Sequence, residues 1–182
     1  MINLKVKKLF SLPAERFNEY YNVLHHLYPK PLKKYQKVQS LTELTFGEVA
    51  TIKMDIQKPS IENLLSIYKV IFGIEDKDFY SLDAVSFFHS LNWINEQIKG
   101  IIDREQKSLA SEPDSKLKEA GIEQMSVFGE MNTLIAIGEK FGKTPQEVEN
   151  WNYNLVFTLM LHQKKSYEIN KKYQEIITPK KP

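Results

Sequence analysis

The chain has 182 residues, 42% apolar and 26% charged, with a net charge of +2 and no cysteine. That length and apolar content suit one folded domain, with or without an arm, and argue against a disordered chain. The lack of cysteine excludes disulfides and thiolate zinc sites, and no apolar run approaches the roughly 18–20 residues needed to span a bilayer.

The charge is unevenly spread. Residues 1–58 carry +5, residues 59–158 carry −7, and residues 159–182 carry +4. Lysines that solvate exposed ends explain this simply. A sharper reading is that basic ends meet the acidic middle of a neighbouring copy and steer self-assembly. A third is that the ends touch nucleic acid. The N-terminal MINLKVKKLF is too short in its apolar stretch for a secretion signal, so the expected location is cytoplasmic.

In chain order, Ile2, Leu4 and Val6 alternate with Asn3, Lys5 and Lys7. This period of two predicts an extended arm or edge strand within residues 1–12 and makes the three apolar residues candidates for a partner contact. Ser11-Leu12-Pro13 then starts a helix with a broad aromatic face, Phe17, Tyr20, Tyr21, Leu24, Leu27 and Tyr28, ended by Pro29 and Pro31. Residues 29–40 form a basic connector. Lys30, Lys33, Lys34 and Lys37 interleave with Tyr35, a pattern able to hold single-stranded nucleic acid but equally that of a solvated loop.

Thr45 with Glu48 reads as a capping box. Phe46, Val49, Ile52, Met54 and Ile56 follow, and Pro59-Ser60 breaks that helix and caps the next. The second helix carries Ile61, Leu64, Leu65, Tyr68, Ile71 and Phe72 and stops at Gly73. Asp76–Tyr80 reads as a short acidic turn. Ser81 or Asp83 begins the longest helix, whose stripe runs Leu82, Val85, Phe88, Leu91, Ile94, Ile98, Ile101 and Ile102. Phe87 and Trp93 lie off that stripe, which makes Trp93 a contact candidate. Residues 105–121 are the least apolar stretch and read as a mobile loop or hinge. Residues 121–130 read as an irregular or strand-like approach to the next helix.

Residues 131–153, MNTLIAIGEKFGKTPQEVENWNY, have the clearest joints. Leu134, Ile135, Ile137 and Phe141 give one helical face, and Gly142 ends it. Thr144-Pro145-Gln146-Glu147 is a new start with a capping box and proline at the first helical position. Asn152 caps the last helix, whose apolar stripe thins after Leu161. Helix, turn and short helix also outline a DNA-binding helix-turn-helix, but the recognition segment PQEVENW has two glutamates and no Arg or Lys, so it would repel phosphates.

No residue pattern suits bond-making chemistry. His25 and His26 are adjacent, and His89 and His162 have no ligand-spaced partners, so no metal is expected. There is no Gly-x-Ser-x-Gly elbow and no phosphate loop, and no cofactor is expected. Glu147 and Glu149 suit a helix N-terminus. Tyr and Trp are enriched in protein–protein contacts, which adds Trp151 and Tyr153 to the contact candidates.

Two segments resemble a known group. SLTELTFGEVATIKMDIQKPSIENLLSIYKVIFGI (40–74) resembles the start of small helical proteins of the tail-morphogenesis region of tailed bacteriophages, where a Leu-Thr-x-Gly-Glu helix precedes one rich in Leu, Ile and Tyr. FGKTPQEVENWNYNLVFTLM (141–160) is similar to the pattern near the end of phage tail assembly chaperones. The resemblance covers about a third of the chain and consists of capping and packing patterns. It implies a non-enzymatic virion or assembly protein of the neck or tail, partnered by itself and by other virion proteins, and located in the virion after assembly in the host cytoplasm. It brings no catalytic residues.

The expectation is therefore a mainly α protein. It has one helical domain over residues 13–178, with about six to seven helices behind a short extended arm. Its work would be protein–protein contact, as a structural component able to form a ring or, alternatively, as a transient chaperone; nucleic-acid binding through the basic ends is the alternative of a different class.

Overall fold

The computed structural model describes residues 4–110 and 115–178. Ile2 lies outside the described residues. The protein is mainly helical, with 75% of residues in helices and, among the described residues, no sheet. Among the described residues there are ten α-helices and two 3-10 helices, more than the periodicity predicts. The surplus consists of short pieces such as Val6–Phe10 and Ser115–Glu119.

The chain divides into two compact units: Met1–Leu44 with Glu48–Ile102, and Thr45–Gly47 with Asp103–Pro182. In the first, α1 (Val6–Phe10) and α2 (Ala14–Leu24) precede the basic connector and a 3-10 turn at Leu41–Glu43. α3 (Phe46–Gln57), α4 (Ile61–Phe72), α5 (Asp76–Ser81) and α6 (Ala84–Leu109) follow, and α3 and α6 contribute residues to both units.

The extended arm is much shorter than predicted. Among its described residues only Lys5 forms a bridge, in extended backbone, and helix begins at Val6. Lys5 pairs with Asp83 in an isolated antiparallel bridge. The Val6 N–H donates to the Leu82 carbonyl at 2.9 Å and the Ala84 N–H to the Leu4 carbonyl at 2.7 Å. This short splice places Val6 and Leu9 in the core at 0% exposure. Their burial stabilises more than solvated strand alternation could, so the period-two pattern loses.

The core of this unit is aromatic. Phe79 and Phe87 meet edge to face at 5.8 Å, Phe10 meets Phe87 at 5.6 Å, and Tyr68 lies 5.0 Å from Phe79. Ser60 caps α4 by accepting from the Asn63 N–H, and Gly73 ends it in the left-handed region at φ 63°. The acidic turn read at Asp76–Tyr80 is helical, because Phe79 buries completely. Asp83 Oδ1 accepts from the Ser86 N–H at 2.8 Å and so starts α6.

In the second unit, α7 (Ser115–Glu119) and a 3-10 helix at Ile122–Phe128 lead into α8 (Met131–Phe141), α9 (Pro145–Glu149) and α10 (Tyr153–Ile177). The loop predicted over 105–121 is helical at both described ends, and the approach read as strand-like is 3-10 helix. α6 runs to Leu109, past its apolar stripe, because its polar end is held. The Arg104 guanidinium stacks 3.9 Å from the Phe157 ring centroid and donates to Asn154 Oδ1 at 2.9 Å. Lys164 Nζ donates to the carbonyls of Ser108 and Ala110 at 3.0 and 2.7 Å, neutralising the helix end.

The start of α3 belongs to this unit. Thr45 bridges Asn152, the Phe46 N–H donates to the Trp151 carbonyl at 2.8 Å, and the Phe46 ring stacks on Tyr153. The α8–α9 corner is tight. Gly142 takes φ 63°, and a Cβ on Gly138 would lie 2.5 Å from the Lys143 carbonyl oxygen. Thr144 and Glu147 complete the predicted capping box.

Candidate interaction surfaces

The basic connector is fastened to α6 of its own unit. The Lys30 N–H donates to the His89 carbonyl at 3.0 Å. His89 Nδ1 donates to the Tyr28 carbonyl at 2.6 Å. Asn92 Nδ2 donates to the carbonyls of His25 and Leu27 at 3.0 and 2.6 Å, satisfying backbone acceptors after α2 ends. α2 stops at Leu24, so His25 and His26 are not splayed around a helix, and their ring centroids lie 3.7 Å apart.

These ties bend the connector around a cleft of about 390 Å³ whose lining includes Lys30, Lys33, Lys34, Tyr35, Asp83, Ser86 and His89. Lys34 Nζ lies 5.0 Å from the Tyr35 ring centroid and 3.3 Å from its hydroxyl. Burial works to raise the Asp83 carboxyl. The backbone N–H and hydroxyl of Ser86, helped by Lys5, outweigh it and hold Asp83 below the usual carboxylate range. Lys30, Lys33, Lys34 and Tyr35 are thus brought together as the sequence pattern predicts. Lys37 is not among them, since its side chain lies against Gly73. Ser86 and His89 join from more than fifty residues away, with no local signal to announce them.

A second, apolar cleft of about 520 Å³ opens in the same unit. Phe10, Phe17, Tyr21, Ile56, Pro59, Ile61, Leu64, Phe87, Phe88 and Leu91 form its walls. Asp55 is its one charged residue, beside Ser60 and Asn95.

The second unit also exposes apolar side chains. Met125, Val127, Phe128, Met131 and Ile135 are 40–79% exposed along the 3-10 helix and α8. On α10, Ile169, Tyr173 and Ile176 are 67%, 57% and 76% exposed.

The contact candidates named from sequence fall mostly elsewhere. Val6 is fully buried, Tyr153 is 1% exposed and Trp93 9%, so these are core residues in this fold. Trp93 packs on Phe72 at 6.0 Å because α6 is covered on more than the one predicted stripe. Tyr153 donates its hydroxyl to Glu105 at 3.0 Å, and burial with that carboxylate raises its pKa. Trp151 is half-buried against Phe141, and Leu4 is half-buried. Sequence reasoning missed the exposed run at 125–135, whose apolar residues look like ordinary core.

No protein-family model, curated protein or solved structure matches the chain. Among the described residues no helix is long and apolar enough to cross a membrane, and no group of three or more His, Cys, Asp or Glu is placed to hold a metal ion.

Proposed function

We propose that the protein is a non-enzymatic structural or assembly protein of a bacteriophage neck or tail, acting through repeated protein–protein contacts. The observation that carries the contact part is the exposed apolar surface of the second unit. Five apolar residues exposed within residues 125–135, and three more on α10, are more than the scattered singles of an ordinary surface and suit contact with a partner. The resemblance of 40–74 and 141–160 to tail-morphogenesis proteins supports the phage part. The segregated charge suits ring-like self-assembly.

A structural component and a transient chaperone differ in their fate. Quantitative composition of purified particles distinguishes them: fixed stoichiometry supports the structural role, and absence from particles with capture on a tail protein supports the chaperone. A protein that neither enters particles nor binds any of their components refutes both.

A second reading is favoured by the lysine cleft. Three lysines and a tyrosine around one concavity suit a nucleic-acid backbone with a stacked base. Such binding weakens steeply as salt rises, and replacing Lys30, Lys33 and Lys34 by alanine flattens that slope. No retention on single-stranded DNA or RNA at low salt removes this reading.

A further inference from the structure

The apolar cleft and the end of α10 are complementary, and neither is satisfied within its own unit. The cleft walls include Phe10, Phe17, Ile56, Leu64 and Leu91, and the only charge among them is negative, Asp55. Asp55 makes no side-chain hydrogen bond or ion pair with any described residue, and no lysine or arginine lines the cleft. Its volume of about 520 Å³ lies in the range of clefts that take up ligands or inserted side chains.

The end of α10 has the opposite character. Ile169, Tyr173 and Ile176 recur at four and three residues, so at 100° per residue they share a stripe about 60° wide. All three are more than half exposed. Lys172 stands beside the stripe, and residues 159–182 carry a net +4. An amphipathic helix with anchors at such spacing is what an apolar groove accommodates in helix-in-groove recognition.

We infer that the C-terminal helix of one copy docks into the cleft of a second copy, with Ile169, Tyr173 and Ile176 entering the apolar walls and Lys172 meeting Asp55. This deepens the self-assembling form of the proposed function and rests on it. Charge complementarity selects a second copy as the occupant. The cleft takes a cation beside an apolar body, and this chain presents a cation beside an apolar stripe. The contact joins two different surfaces, so it propagates head to tail and closes into a ring or extends into a filament according to the rotation per step.

The test is light scattering of the full-length protein over a hundredfold concentration range. Wild type is expected to rise above the monomer mass of 21.3 kDa. Ile169→Glu with Tyr173→Glu should return it to monomer, and both positions are exposed, so the fold is not at risk. Asp55→Lys should do the same, and Lys172→Glu added to Asp55→Lys should restore association. Mixing the tail variant with the Asp55→Lys variant should stop at dimers, since the one intact cleft and the one intact tail engage each other and the two surfaces left free are both defective. Wild type that remains monomeric throughout overturns the inference. Association indifferent to all these substitutions also overturns it, and leaves standing the broader reading that the protein works through contacts.

Discussion

The Tyr68 hydroxyl lies 2.6 Å from the Ser90 hydroxyl, and both are at 0% exposure in the core. Tyr68 also donates to the Phe87 carbonyl at 3.0 Å, while Ser90 reaches the carbonyls of Ser86 and Phe87. No buried side-chain polar atom among the described residues is left unpaired. Among the described residues, Ser90 is the one buried polar side chain outside the aromatic set, and the tyrosine explains its place there. Tyr68→Phe and Ser90→Ala should each cost about 1 kcal/mol, because each leaves the other hydroxyl with a carbonyl partner. The double variant should cost less than the sum of the singles in chemical denaturation.

Burial raises the pKa of Tyr68, with the Ser90 bond working against it, and raises that of Tyr153 with the help of Glu105. In the unfolded chain both phenols ionise near the usual pH of about 10. A raised folded pKa stabilises the fold fully below that pH and ceases to do so as pH rises. Stability should therefore fall above about pH 10, with two phenols ionising only as the protein unfolds. Absorbance titration at 295 nm alongside circular dichroism checks this. Tyr68→Phe with Tyr153→Phe should shift the alkaline transition.

At the start of α9, the Thr144 hydroxyl accepts from the Glu147 N–H and Glu147 accepts from the Thr144 N–H at 2.8 Å. Thr144→Ala should destabilise by about 1 kcal/mol. The Thr144 N–H is the largest influence pulling the Glu147 pKa down, to about 2, and Lys143 adds to it. A depressed carboxyl stabilises the fold above its unfolded value of about 4.3 and loses that contribution as pH falls towards 2. Thermal melts between pH 2 and 5 should show a dependence that Glu147→Gln reduces.

Two helical glycines should respond oppositely to alanine. A Cβ on Gly100 meets nothing within 4 Å, so Gly100→Ala should stabilise by about 0.5–1 kcal/mol through helix propensity alone. A Cβ on Gly138 runs into the Lys143 carbonyl oxygen at 2.5 Å. That carbonyl belongs to the backbone of the tight α8–α9 corner and cannot swing away. Gly138→Ala should cost on the order of 1–3 kcal/mol despite the better helix former. Urea denaturation of both variants decides the sign.

The joints of this protein are local, and the sequence determined them. Gly73 and Gly142 take the left-handed conformation that glycine adopts without strain, and Ser60, Thr144 and Asn152 cap the helices they precede. The same local chemistry shows the Lys30–Tyr35 patch, because its members are near neighbours in the chain. Burial is decided over long distances. Val6 alternates like a strand residue yet enters a helix, because the bonds from Leu4 and Val6 to α6 and its approach give it an aromatic core to fill. Trp93 and Tyr153 look like contact residues and are core, while Val127 and Ile176 look like core and are exposed. An apolar side chain has the same composition whether another helix covers it or not, so only the packed chain assigns its face.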